Sequence, residues 1–346
     1  MRDDSPSGRP AWAIVLLSCA VGVGFGSGAQ AEDEPKTRLE FFISPVVDLH
    51  FYVRALAEGN SSAVPEAYRR AVAVAEIVGR ELGGGRWGAM ESNLGDCRTA
   101  AELRERFGTL PAEYRPRFGP EGKPIALRDL AVKMADEYSA CEGHFLEHTW
   151  PDHQRIVQED LRRIESDFIP QFDKLLADML EHLGIADPQI TVPIYLVAEA
   201  YFPGAFTMRT HEGTPVLFVQ TRRPHHEGTL LFELILHESC HTLDMSSESV
   251  FSVLRKKLAD AGVSSRSDLY HDVPHTIMFV QAAETIRRFL DGNHKAYGDV
   301  EGYYRRVGFA GTMVPPVWIE YLDGKCTREE ALDRMVKATV ALGASD

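Results

Sequence analysis

The chain has 346 residues and carries 37 Lys plus Arg against 51 Asp plus Glu, a formal net charge of −14. No basic cluster and no stripe of interleaved basic and aromatic residues interrupts that acidic balance. Nucleic acid and anionic membrane surfaces are therefore disfavoured as partners.

Arg2 and Arg9 precede an apolar stretch from Ala11 to Phe25, and Ala29-Gln30-Ala31 follows as a small-residue cleavage site. That order is the signature of an export signal over residues 1–31. The stretch falls short of the roughly 20 residues that a bilayer span requires. The reading is of a periplasmic or secreted protein whose mature chain begins at Glu32. The remainder, about 315 residues, is enough for a sizeable core and two subdomains. No later segment is long and apolar enough to span a membrane. Cleavage leaves Cys97, Cys141, Cys240 and Cys326. An even count in an exported chain permits disulfides, with Cys97–Cys141 the preferred pair and four buried free thiols the alternative.

Leu39–Ser44 reads as a short strand, and Pro45 opens a helical pattern through Val46, Leu49, Phe51, Val53 and Leu56. Pro65–Leu82 is a second helix, ended by Gly83-Gly84-Gly85. The Pro- and Gly-rich stretch Thr109–Pro124 reads as a loop. Helical patterns resume over Leu127–Glu142 and His153–Leu183, so that residues 32–185 form a mainly helical N-terminal subdomain. The character changes after Gly184. Ile190–Leu196, Ala205–Thr210 and Pro215–Gln220 are strand candidates, the last two flanking His211-Glu212-Gly213-Thr214 as a hairpin connection. Further helices are expected around Glu248–Ala261, over Pro274–Leu290 and over Arg328–Ala341.

The segment with the most chemistry is His237-Glu238-Ser239-Cys240-His241. An apolar run, Leu230 to Leu236, leads into it and marks a buried helix. Residues four apart share a helix face, so His237 and His241 can grip one Zn²⁺ together. Glu238 lies about 100° around the helix, where its carboxylate reaches an activated water rather than the metal. It is the candidate general base. Asp244 and Glu233 stand one turn to either side of the histidines, and each reads as an acid that orients an imidazole or as an ordinary solvated residue.

This HExxH stretch resembles the zincin metallopeptidases. The resemblance implies a third protein ligand from elsewhere. The metzincin extension is absent, since Asp244 and Ser247 stand where Gly and a final His or Asp would be. The gluzincin branch takes a Glu from a downstream helix, and the matching segment is Pro274–Leu290. Pro274 suits the first turn of that helix and Gly292 its terminator. Glu284 lies on the line of Ile277 and Val280, beside Ala282 and Ala283. A carboxylate buried there is costly unless bound to metal or paired, and the competing partners are Arg287 and Arg288, one turn along. Glu284 is thus the expected third ligand, with His271, His275 and Glu248 as competitors. His275 is about 180° around the helix from Glu284, so the two exclude one another.

The resemblance also implies an edge strand that holds an extended substrate, for which Ala205–Thr210 and Pro215–Gln220 are the candidates. His271, His275, Tyr303, Tyr304 and Arg287 are candidates to stabilise an oxyanion, with nothing in the sequence to rank them. The expectation is an α+β protein in which a zincin-like core over residues 186–346 follows the helical subdomain. Its expected activity is that of an exported zinc-dependent peptidase acting on peptide or protein substrates. The rival readings are a zincin fold retained for binding without turnover, and a metal-dependent amidase acting on cell-wall material.

Overall fold

The computed structural model describes residues 37–59, 64–82, 87–114, 124–187, 189–200, 204–209, 213–222, 228–243 and 248–343. The export signal read over residues 1–31 lies outside them, as do Asp244 and most of the connection between the two hairpin strands.

Strand β1 (Arg38–Phe42) leads into α1 (Pro45–Glu58), whose start is set by Ser44 as N-cap and Pro45 in the first turn. Helices α2 (Arg69–Leu82), α3 (Gly88–Glu91), α4 (Ala100–Gly108) and α5 (Leu127–His148) follow. The long helix expected over His153–Leu183 is broken into α6 (Trp150–Arg163), a π-helical stretch Ile164–Phe168, a 3-10 turn Ile169–Gln171 and α7 (Phe172–Leu183). Pro170 has no N–H to donate, so the regular ladder cannot run through it. Gly184 closes α7 with a left-handed φ of 63°.

Next come β2 (Thr191–Val197), β3 (Ala205–Arg209) and β4 (Pro215–Gln220), and then α8 (Thr229–Leu243), which carries the HExxH stretch. Helices α9 (Val250–Asp260), α10 (Asp268–Phe289), α11 (Tyr297–Val300), α12 (Tyr303–Arg306), α13 (Phe309–Leu322) and α14 (Arg328–Gly343) complete the described chain. The sequence pattern predicts no helix at α4 or α13. The second contains Pro315 and Pro316 in its interior, a pairing that ordinarily argues against helix.

Among the described residues the sheet has four strands in the order β1-β2-β4-β3. β1, β2 and β4 run parallel, and β3 pairs antiparallel with β4 at the outer edge. Side chains alternate across it. Val192, Ile194, Leu196, Leu217 and Val219 join an apolar layer with α6, α7, α8, α9, α10 and α13. Tyr195, Val197, Val216 and Phe218 face the other way, into a layer built from α1, α2, α4 and α5. Burial of a sheet on both faces is what parallel strands require.

The mixed α and β composition agrees with the expected class. The boundary at residue 185 does not describe the packing, because β1 pairs with β2 and because α6 and α7 belong to the same layer as α8 and α10. Asp48 of α1 ties the layers together. Its carboxylate accepts from the Ala198 amide at 2.6 Å, just beyond β2, and from His153 Nδ1 of α6 at 2.5 Å. The preferred disulfide does not form: Cys97 and Cys141 are both thiols, and burial pushes them up to about 11.

Candidate metal centre

The buried helix α8 presents His237 and His241 on one face, as the four-residue spacing requires. The third member of the cluster comes from α10 and is His275. Ligand nitrogens of His237, His241 and His275 all lie within 4.8 Å of one another. The three ring centroids form a nearly equilateral triangle of 5.0, 5.0 and 5.1 Å. His237 Nε2 and His275 Nε2 face each other at 3.2 Å.

Two nitrogens bound tetrahedrally to one Zn²⁺ at ordinary Zn–N lengths would stand about 3.3 Å apart. The His237–His275 spacing and the imidazole donor set therefore fit that ion. Protonation competes with metal for an imidazole nitrogen, and the fold suppresses it at His237 and His275. Burial, then the neighbouring His275 and His241, hold His237 well below the usual imidazole range. Burial, then His241 and the cations Arg306 and Arg255, push His275 down to about 3.

Glu284 is not part of this cluster. Its carboxylate pairs with Arg287 three residues along α10, which was the competing arrangement. The helix explains the exchange of roles. α10 begins at Asp268 with Ser267 as its N-cap residue, not at Pro274. His275 is therefore two turns inside a rigid helix, while Pro274 is an interior residue beside it. Glu284, about 180° around, points elsewhere. The i, i+3 spacing to Arg287 was the signal in the sequence that Glu284 already had a partner.

Each ligand is supported from behind to a different degree. His275 Nδ1 lies 3.1 Å from the Tyr303 hydroxyl, which is 3.5 Å from Thr276 Oγ1. Thr276 in turn donates to the Asp272 carbonyl at 2.7 Å. With Nε2 as the metal-facing atom, Nδ1–H donates to Tyr303 and every proton in the chain has an acceptor. Tyr303 belongs to the separate short helix α12, and its place behind His275 differs from the oxyanion role for which its residue type made it a candidate. The His237 ring is stacked on Phe279 of α10, centroids 3.7 Å apart.

Glu238 is 6% exposed and its Oε2 accepts from Thr207 Oγ1 at 2.6 Å. The same hydroxyl lies 2.9 Å from the Glu238 carbonyl. Burial raises the Glu238 carboxyl above its ordinary range, partly opposed by His241 and by the Thr207 hydrogen bond. Arg209, two residues on in β3, reaches the His241 carbonyl at 3.3 Å. The outer strand is thereby fastened to the helix that carries the site.

Among the other candidates, His271 Nε2 is 3.0 Å from the Ser265 carbonyl, Glu248 is exposed, and Asp244 lies outside the described residues. Arg287 is engaged by Glu284 and the His294 carbonyl. Tyr304 packs edge-on against Tyr303, centroids 5.9 Å apart. Glu233 is fully buried, where its Oε2 accepts from His294 Nε2 at 2.6 Å and from the Tyr297 amide at 2.8 Å. No protein-family model, no curated protein and no solved structure matches this chain.

Proposed function

We propose that the protein is an exported zinc-dependent hydrolase of peptide bonds, with His237, His241 and His275 as the metal ligands and Glu238 as the general base. The observation that carries this reading is the convergence of three imidazoles, with Glu238 on the same helix and its carboxylate interacting electrostatically with His241. The donor set differs from the gluzincin pattern in using a third His in place of Glu, and the rest of the zincin resemblance is retained as part of the proposal. A bound Zn²⁺ supplies Lewis acidity that polarises a carbonyl and lets water attack near neutral pH.

The protein's own groups do the remaining work. Three neutral imidazoles leave the full charge of the ion uncompensated, so the electrophile is stronger than with a carboxylate ligand. Glu238 takes the proton of the attacking water and returns it to the departing amine. Its raised pKa brings it closer to the range in which a carboxylate can both accept and release a proton at working pH. Thr207 fixes the direction in which the carboxylate points.

Strand β3 provides a track for the substrate. The Gly204 carbonyl accepts from the Gln220 amide at 2.7 Å, so alternate residues Phe206 and Met208 also turn their main-chain groups toward β4. The amides and carbonyls of Ala205, Thr207 and Arg209 then point outward, where an extended peptide adds as a further strand. Thr207 and Arg209 send their side chains to α8, which puts such a peptide alongside the histidines.

The test is metal content and turnover of the purified chain with a peptide library. H237A, H241A and H275A are expected to lose stoichiometric zinc, whereas E238Q keeps the metal and loses cleavage by about two or more orders of magnitude. Full zinc content in the three histidine variants would defeat the proposal. Zinc in the wild-type protein without any cleavage would favour a binding role instead.

A further inference from the structure

His237 is the most buried of the three candidate ligands, and its distal nitrogen is unserved. His275 Nδ1 has Tyr303, but His237 Nδ1 is buried without a hydrogen-bond partner among the described residues. A second buried polar atom without a partner is Glu233 Oε1. The two residues are one helical turn apart on α8, where side chains at i and i+4 stand on the same face with Cβ atoms about 5–6 Å apart.

The two atoms are complementary. Metal coordination through Nε2 requires the tautomer with hydrogen on Nδ1, a donor, and a carboxylate oxygen is an acceptor. Leaving both buried and unpaired costs about 1–3 kcal/mol for each group. A hydrogen bond between them, direct or through a single water, would satisfy both.

We propose that Glu233 is the positioning residue for His237, accepting from its Nδ1–H when the metal binds and so fixing the tautomer and plane of that ligand. The proposal rests on the three-histidine reading of the metal centre. The surroundings make Glu233 suitable for this task. Its other oxygen, Oε2, is held by His294 Nε2 and the Tyr297 amide, and His294 Nδ1 is in turn 3.0 Å from Thr229 Oγ1 at the start of α8. The carboxylate is thus anchored through Oε2, and Oε1 is left without a partner among the described residues. The anchor comes from the segment that follows α10 and from the start of α11, so α8 is braced against the chain that leaves the second ligand-bearing helix.

The experiment is zinc affinity of the full chain by competition with a chromophoric chelator, for wild type, E233A and E233Q, with circular dichroism of each zinc-free protein. E233A is expected to bind zinc roughly 10–100-fold more weakly. E233Q should fall between it and wild type, because the amide oxygen still accepts while the charge is gone. A folded E233A that binds zinc as tightly as wild type overturns the proposal. Should E233A not fold, E233Q decides: weakened binding supports the role of Glu233, and unchanged binding overturns it. Failure of the underlying metal reading looks different, since the wild-type protein itself would then bind no zinc.

Discussion

Glu284 and His275 lie on opposite sides of α10, and only one of them could serve the proposed metal centre. His275 has its Nε2 at the cluster and its Nδ1 on Tyr303, while Glu284 has Arg287. Removing the acid should therefore leave the metal site intact. E284A is expected to keep wild-type zinc affinity and to lose on the order of 1 kcal/mol of stability, the scale of a partly exposed ion pair. Chelator competition and a urea titration of the same sample measure the two quantities. A large loss of zinc affinity in E284A, with H275A unaffected, would restore the carboxylate as ligand.

Strand β3 and helix α8 meet through the Thr207 hydroxyl as well as through Arg209. Thr207 Oγ1 serves both the carboxylate and the carbonyl of Glu238, so the outer strand controls where the proposed base points. T207V keeps the shape of the side chain and removes the donor. Hydrogen bonds to a charged group contribute about 1.5–3 kcal/mol, so kcat/KM toward a cleaved peptide should fall about 10-fold or more. Loss of a bond that lowers the Glu238 pKa should also move the acid limb of the pH profile upward. T207S should restore both. An unchanged pH profile in T207V would separate Thr207 from the base and leave it as a packing residue.

At the scale of the whole molecule, the sheet is buried on both faces, and the centre lies within the helical layer on one of them, between α8 and α10. That burial has a consequence for acid stability. His275 is held down to about 3 in the folded chain, against 6.5 in an unfolded one. Between those values the unfolded state binds the proton and the native state does not, so stability rises with pH. The contribution is complete above about pH 6.5 and is lost progressively as pH falls toward 3, by at most about 1.4 kcal/mol per pH unit. Metal-free wild type should therefore lose stability on acidification from about pH 6.5 faster than metal-free H275Q, which lacks the group. Parallel denaturation curves for the two proteins at about pH 7 and about pH 5 would contradict this.

Local pattern carried most of the elements and half of the centre. The apolar run from Leu230, the i, i+4 histidines and Glu238 are read from spacing alone, because a helix fixes which residues share a face. The same holds for α1, whose cap Ser44 and Pro45 are adjacent in the chain, and for the strands around β2 and β4, whose β-branched runs are contiguous. The third member of the histidine cluster was of another kind. Choosing between His275 and Glu284 needed the true start of α10, its rotation against α8 and the knowledge that Arg287 had already taken the acid. The first two are set by contacts between segments tens of residues apart, and no local spacing encodes them. The same limit applies to β1, which pairs with β2 across nearly the whole helical half, and to the outward-facing edge of β3. The sequence determined which side chains could hold a metal; the packing of α10 on α8 decided which of them meet.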